Sequence, residues 1–172
     1  MTPVMKAIRE RRSVRRFTQT CPTREQLEPV LEAAVCAPTG MNLQSSRFIA
    51  VRDPEVLSRL ERLLARELNR PGYNFYGAPV LILAANPKDG RNAMADCAAA
   101  LQNMMLAAHE AGLGSCWINQ FRDLWDNAAV AEFLAGLGLP QNYAVQCSLA
   151  VGFPAELPAP PPRKEGRVTY IG

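Results

Sequence analysis

Five arginines and one serine lie within nine residues near the N-terminus, in the segment RERRSVRRF of residues 9–17. Arginine presents parallel N–H groups whose geometry matches the oxygens of a phosphate. Ser13 lies between Arg11 and Arg15 and adds a hydroxyl donor. The segment is therefore a candidate anion site. The same charges also suit a solvated helix end, where the helix dipole favours cations.

The positive charge of the chain is concentrated in this segment. The formal net charge is +3, from 19 basic and 16 acidic side chains. Six of the basic side chains but only one of the acidic ones fall in residues 1–16, so the remainder is slightly acidic. A nucleic-acid binder usually spreads its positive charge along a face that follows many phosphates. The pattern favours a single bound anion and leaves a basic nucleic-acid-binding module as a remote alternative.

Few side chains in this sequence can perform catalysis on their own. His109 is the only histidine, and it lies in a predicted helix without a Cys or carboxylate at metal-ligand spacing. We therefore expect His109 to be a helix-surface residue, and we expect no metal site. Ser-His-Asp or Cys-His catalysis would have to use His109, because there is no other histidine. The P-loop and dinucleotide-binding glycine patterns are absent. An enzyme with this sequence would depend on a cofactor for its chemistry.

The remaining composition is that of an ordinary globular protein. The chain has 172 residues, 48% of them apolar, which is enough for one buried core. Its five cysteines are odd in number and form no C-x-x-C pair. We find no signal-peptide pattern and no apolar run long enough to span a bilayer. We therefore expect a cytoplasmic protein with reduced thiols and no membrane partner.

Hydrophobic periodicity predicts the elements that must position the arginine segment. Capping signals and a 3.6-residue period predict helices over residues 2–12, 23–37, 53–68, 91–111 and 123–137. Apolar runs predict strands over residues 47–51, 79–85, 115–118 and 143–151. In the first helix, Val4, Ala7 and Ile8 are expected to face inward, and Pro29 is expected to disturb the second. The Ala-rich fourth helix suits close packing in the core or at a dimer interface.

The tail has a different composition from the rest of the chain. Residues 154–162 contain five prolines, so this stretch must be extended. The β-prone sequence VTYI follows at residues 168–171, and such a segment can add to a sheet edge on another subunit. We expect a domain over residues 1–153 and, over residues 154–172, a proline-rich arm that can reach another subunit. A frayed tail is the alternative.

Several motifs, in their order and spacing, resemble the FMN-dependent nitroreductase family over residues 5–163. They are R-R-S-V-R at 11–15, A-P-T-G-x-N-x-Q at 37–44, A-P-V-L-I-L at 78–83, A-L-Q-N-M-M-L-A-A at 100–108, G-L-G-S-C-W-I at 112–118 and V-G-F-P at 151–154 followed by Arg-Lys at 163–164. The resemblance implies a nitroreductase-like α+β fold, with a central, mostly antiparallel sheet flanked by helices. It also implies a domain-swapped homodimer that exchanges C-terminal strands.

The resemblance further implies which residues hold FMN at the subunit interface. The phosphate would be bound by Arg11, Arg12 and Ser13, with Arg163 or Lys164 from the tail. Around the flavin ring, Arg15 would lie near the pyrimidine end and Asn74 would be a further polar contact. The segment Ile118, Asn119 and Gln120 would contact the ring through backbone N–H groups. The other subunit would contribute Pro38, Thr39, Gly40, Asn42 and Gln44.

The implied activity is that of an NAD(P)H-dependent oxidoreductase working by a ping-pong mechanism, without catalytic residues beyond FMN itself. Small-molecule acceptors in such sites include nitroaromatics, quinones and free flavin. A flavoprotein of the same fold with other chemistry (flavin binding, dehalogenation or an oxidative reaction) is the alternative. The sequence departs from the family pattern at Ser45-Ser46, usually Pro-Trp, and at Asn119-Gln120, often Gly-Gly or Glu-Gly. We expect the Gln120 side chain to narrow the space over the flavin.

Overall fold

A computed structural model describes all residues from Met1 to Gly172. It contains four strands and five α-helices, with short 3₁₀ turns between some of them. In chain order these are α1 (Pro3–Glu10), α2 (Arg24–Val35), β1 (Arg47–Val51), α3 (Pro54–Glu67), β2 (Val80–Pro87), α4 (Ala93–Glu110), β3 (Gly114–Ile118), α5 (Ala128–Gly136) and β4 (Tyr143–Gly152).

The four strands form one antiparallel sheet in the order β1-β2-β4-β3. The two central strands pair with Val80 opposite Val151, and a bulge interrupts their register between Ala84 and Ala85. Both central strands are almost entirely buried, which explains why they lack the alternating pattern of a half-exposed strand. The predicted α+β class with a helix-flanked antiparallel sheet is confirmed.

Helices cover both faces of the sheet. On one face α2 and α4 pack over β2 and β4, and on the other face α3 and α5 enclose a second apolar cluster. The predicted caps are present: Thr23 and Gln26 form a capping box, and Asp53 accepts from the first turn of α3. Gly112 ends α4 with a φ of +71°, the left-handed conformation that glycine adopts without strain.

Three local predictions were wrong. In α1 only Ala7 is buried, whereas Val4 and Ile8 are exposed. α5 begins at Ala128 and not at Asp123, because the Asn127 side chain caps it by accepting from the Val130 N–H at 3.0 Å. α1 ends at Glu10 and not at Arg12.

Pro29 lies inside α2 without ending it.

No helix combines the length and the apolar character needed to cross a membrane.

Candidate anion and cofactor site

The segment that follows α1 is held along the outer edge of the sheet. Val14 donates its N–H to the Ser115 carbonyl at 2.9 Å, and Thr18 donates to the Phe153 carbonyl at 2.9 Å. Gly114 permits this close approach, because a Cβ there would lie 2.8 Å from a methyl group of Val14. The backbone of the arginine segment is therefore fixed by β3 and by the end of β4.

The tail begins on the same segment. Ala155 donates its N–H to the Arg16 carbonyl at 2.9 Å, and the Arg16 guanidinium lies 3.2 Å from a carboxylate oxygen of Glu156. Both side chains of this ion pair are well exposed, so it adds little stability. The backbone contact directs the proline-rich stretch back over the arginine segment, and this brings Arg163 beside it.

Arginine side chains and the returning tail line an open cleft of about 330 Å³, which we call the arginine pocket. No acidic side chain lines it; the lining residues are Arg11, Arg12, Ser13, Arg15, Pro158, Ala159, Pro161 and Arg163. Burial lowers the pKa of Arg11, and the neighbouring charges of Arg163 and then Arg12 lower it further. The Nη1 atom of Arg11 is buried and has no hydrogen-bond partner. This donor set suits a phosphate or another compact anion.

The two arginines at the start of the motif have different roles. Arg12 Nη1 donates to the carbonyl oxygens of Arg9, Glu10 and Arg11 at 2.7, 2.8 and 2.9 Å. One nitrogen of Arg12 therefore caps the carbonyl groups left free at the C-terminal end of α1. Arg11 caps no carbonyl group, and it lines the arginine pocket. Of the two tail candidates, Arg163 lines the pocket and Lys164 does not.

Arg15 lies beside a strained turn that the sequence did not indicate. Its guanidinium lies 5.8 Å from the centre of the Tyr76 ring, and the Tyr76 hydroxyl raises the pKa of Arg15. Phe75 and Tyr76 both have positive φ, 45° and 62°, a conformation that costs free energy and is concentrated at functional sites. The exposed Asn74 begins this turn. The structure thus brings Arg15 and the Asn74 turn together.

The end of β3 is tied to the same turn through a side chain. The Gln120 Oε1 atom accepts from the Asn119 N–H at 3.1 Å and from the Tyr73 hydroxyl at 3.2 Å. The Ile118 carbonyl accepts from the buried Ser148 hydroxyl at 3.3 Å. Hydrogen bonds therefore hold the segment 118–120 at both ends, and the Gln120 side chain engages the Asn119 N–H.

The predicted partner-facing residues form a compact loop of their own at 38–44. The Thr39 hydroxyl accepts from the Gln44 N–H at 3.0 Å, and the Gln44 amide donates to the Asn42 side chain at 3.1 Å. The Gly40 N–H donates to the buried carboxylate of Asp96 at 2.9 Å. Asn42 and Gln44 have φ values of 54° and 50°. The loop, with Pro38 at its start, is fixed by internal bonds and by α4.

Within one chain, this loop and the arginine pocket do not meet. The loop is bonded to Asp96 near the start of α4. His109, near the end of α4, shares a small cavity with Arg11 and Arg12. Thirteen residues separate Asp96 from His109, which is about 20 Å along a helix axis. The loop at 38–44 and the arginine pocket therefore lie near opposite ends of α4.

The Ser45-Ser46 departure is explained by a buried amide. The Ser45 hydroxyl donates to the Asn86 side-chain oxygen at 2.9 Å, and the Asn86 side-chain nitrogen donates to the Ser46 hydroxyl at 3.1 Å. Asn86 lies in β2 and is only 2% exposed, so it needs both partners. The Ser45 carbonyl also accepts from the Tyr143 hydroxyl at 3.0 Å.

His109 lies on the surface of α4, as expected, with its side chain partly exposed. Its Nε2 atom lies 4.0 Å from a Glu10 carboxylate oxygen. No group of three or more His, Cys, Asp or Glu side chains is arranged to hold a metal ion. Cys116 is buried in β3, as expected, and its burial raises the pKa of the thiol.

Known proteins resemble this chain over its whole length. Residues 8–73 and 67–153 match the sequence profile described as "Nitroreductase family". A nitroreductase of Bacteroides fragilis, solved with bound FMN, superposes with a TM-score of 0.91 at 32% identity, over 100% of both chains. An FMN reductase (NADPH) of Bacillus subtilis is 29% identical, over 99% of this chain and 73% of the relative. An iodotyrosine deiodinase of Thermotoga neapolitana is 28% identical, over 94% of each chain.

Proposed function

The chain belongs to the nitroreductase family, and from this premise we propose that it is an FMN-dependent oxidoreductase. It takes hydride from NADH or NADPH and passes it to nitroaromatic, quinone or related acceptors in ping-pong order. The observation that carries the proposal is the arginine pocket, where five polar or cationic side chains converge without an acidic neighbour. The FMN-bound nitroreductase of Bacteroides fragilis supports the same cofactor.

The phosphate end of FMN fits the donors of the arginine pocket. Arg11 has a buried nitrogen without a partner, and a phosphate oxygen would supply the missing acceptor. Ser13 adds its hydroxyl and Arg163 a second guanidinium from the tail. Because Arg11 and Arg163 repel each other in the chain alone, an anion between them would also relieve that repulsion. Arg12 would contribute charge with the nitrogens that do not cap α1.

The ring end of FMN would lie toward Arg15, Asn74 and the segment 118–120. Bound FMN supplies the redox chemistry, which is transfer of hydride and electrons at the isoalloxazine ring. Arg15, held beside Tyr76, would place a cation near the pyrimidine edge, where negative charge develops on reduction. Backbone N–H groups of Asn119 and Gln120 would orient the ring. The chain itself binds, orients and stabilises charge.

We also propose that the functional unit is a homodimer. The loop at 38–44 would reach the FMN of the other subunit, since it lies about 20 Å along α4 from the arginine pocket of its own chain. Apolar side chains are exposed on α1 and in the tail, including Val4, Ile8, Tyr170 and Ile171. In this proposal the arm of residues 154–172 lies across the partner, and VTYI adds a strand to the partner's sheet. Cytoplasmic location is part of the same proposal.

An absorbance spectrum tests the cofactor and the electron donor together. The purified protein is incubated with FMN and then desalted. We expect it to retain a nearly stoichiometric amount of FMN, which is visible as flavin absorbance bands. Adding NADH or NADPH without oxygen should bleach these bands, and a nitroaromatic or quinone should restore them. Failure to retain FMN would refute the proposal. Steep salt-dependent binding of DNA in the same preparation would instead favour the nucleic-acid reading of the arginine segment.

A second activity is favoured by one observation, the similarity to an iodotyrosine deiodinase over 94% of each chain. In that case the same fold and FMN would serve reductive removal of a halide. Retained flavin that NADH and NADPH do not bleach, but that reacts after chemical reduction with a halogenated phenol and releases halide, would identify this alternative.

A further inference from the structure

The side chain of Gln120 occupies a backbone donor in its own turn. Its Oε1 atom accepts from the Asn119 N–H at 3.1 Å and from the Tyr73 hydroxyl at 3.2 Å. The N–H···O distance lies within the normal range, whereas the O–H···O distance is longer than the usual maximum of about 3.0 Å, so the bond from Tyr73 is the weaker of the two. A glycine at this position would leave the Asn119 N–H free, whereas here the chain supplies its own acceptor.

Tyr73, whose hydroxyl donates the second hydrogen bond to the Gln120 carbonyl, packs in a cluster of aromatic rings. Its ring packs edge-on against Phe75 at 5.1 Å, and Phe75 stacks on Phe121 at 6.2 Å with almost parallel planes. Phe75 and Phe121 are each only 1% exposed. Since Phe121 directly follows Gln120, the Tyr73 hydroxyl is kept at a fixed place relative to the turn. Two hydrogen bonds therefore hold the Gln120 side-chain carbonyl beside the Asn119 N–H.

We propose that Gln120 is a latch: its side-chain carbonyl occupies the Asn119 N–H, and the flavin ring must displace it to bind there. This inference rests on the proposed function, since it concerns how FMN reaches the segment 118–120. Gln120 acts as a positioning residue that holds the turn closed. Because only the open form can receive the ring, the latch lowers the apparent affinity for FMN by the fraction of molecules that are open.

The size of the effect follows from the bond that must be broken. Replacing one protein hydrogen bond by solvent changes an equilibrium by about twofold to tenfold. Gln120→Leu removes the acceptor at similar size, so FMN should bind about twofold to tenfold more tightly than to the wild type. Gln120→Glu keeps an acceptor at the same place and should show no gain. Tyr73→Phe removes one anchor and should give a smaller gain than Gln120→Leu.

Two measurements test the latch, both on the full chain. Titration of flavin-free protein with FMN, followed by quenching of flavin fluorescence, gives the affinities. Amide hydrogen exchange without FMN should show the Asn119 N–H protected in the wild type and in Gln120→Glu, and faster in Gln120→Leu. General damage to the fold would weaken binding, so a gain in affinity is a specific signature.

The outcomes separate the latch from the proposed function. If the wild type binds FMN but Gln120→Leu binds it equally or more weakly, the latch is refuted and the function stands. Unchanged exchange at Asn119 in Gln120→Leu refutes it independently of any flavin. If no protein, including the wild type, binds FMN, the proposed function fails and the latch fails with it. Tighter binding together with faster exchange supports the latch.

Discussion

Arg11 offers a prediction in which stability and binding change in opposite directions. Its guanidinium is partly buried, contains a nitrogen without a partner, and lies near the charges of Arg163 and Arg12. Arg11→Met keeps the aliphatic stem and removes the charge, so the repulsion disappears in the flavin-free protein. We therefore expect the melting temperature of the flavin-free variant to equal or exceed that of the wild type. FMN binding should nevertheless weaken.

The expected loss of binding can be estimated from the bonds involved. One charge-assisted hydrogen bond contributes about 1.5–3 kcal/mol net, so losing one bond to phosphate should raise the FMN dissociation constant about 10-fold to 150-fold. Arg9→Met is the matched control, because Arg9 is exposed on the last turn of α1 and does not line the arginine pocket. Fluorescence titration at fixed salt gives both constants, and differential scanning fluorimetry gives both melting temperatures.

Two results would refute this reasoning. Equal losses in Arg9→Met and Arg11→Met would mean that diffuse positive charge, and not the built pocket, attracts the cofactor. A large fall in the melting temperature of flavin-free Arg11→Met would mean that the guanidinium makes a stabilising contact. In that second case the weaker binding would reflect a damaged fold, and the unpaired nitrogen would not be a binding group.

Two further predictions concern the backbone and the thiols. Gly114→Ala should lower the free energy of unfolding by about 1–3 kcal/mol, as overpacking does, because its Cβ would lie 2.8 Å from Val14. The control Gly136→Ala has open space around the new Cβ and should leave the free energy of unfolding, measured by urea denaturation, equal or higher. A larger loss in Gly136→Ala than in Gly114→Ala would contradict the packing of the arginine segment on β3. Iodoacetamide should alkylate the exposed Cys21 in the native protein but not Cys116, because Cys116 is buried and its thiol pKa is raised. Mass spectrometry measures the labelling, and equal labelling of the two cysteines would mean that β3 opens readily.

Features that depend on neighbouring residues could be predicted from the sequence. The capping box at Thr23, the cap at Asp53 and the Gly112 stop are all encoded within a few residues and are all present. The strands β1 to β4 were located within about two residues, because continuous apolar runs define buried strands. The start of α5 was misplaced because Asp123 and Asn127 are both good caps, and only the fold selects between them.

Contacts between distant segments could not be predicted. Nothing in the pattern of residues 72–77 indicated that Tyr76 lies beside Arg15 or that Tyr73 bonds to Gln120. The Ser45-Ser46 pair looked like a departure from a motif until its partner Asn86 was located in β2. Each of these contacts joins positions forty or more residues apart in the chain, and periodicity carries no information at that range. The motif indicated the arginine cluster, but not that Arg12 serves partly as a helix cap.

The prediction that Val4 and Ile8 face inward was wrong for the same reason: it depends on contacts that the local sequence does not contain. The 3.6-residue period identified the apolar face of the helix correctly, but it cannot say what covers that face. Ala7 is buried by its own chain, whereas Val4 remains 64% and Ile8 43% exposed. Exposing side chains of this size to water is unfavourable, at roughly 25 cal/mol for each Å² of apolar surface. In the homodimer proposed above a second chain would cover them, and the same association would bring the loop at 38–44 to the arginine pocket of that second chain.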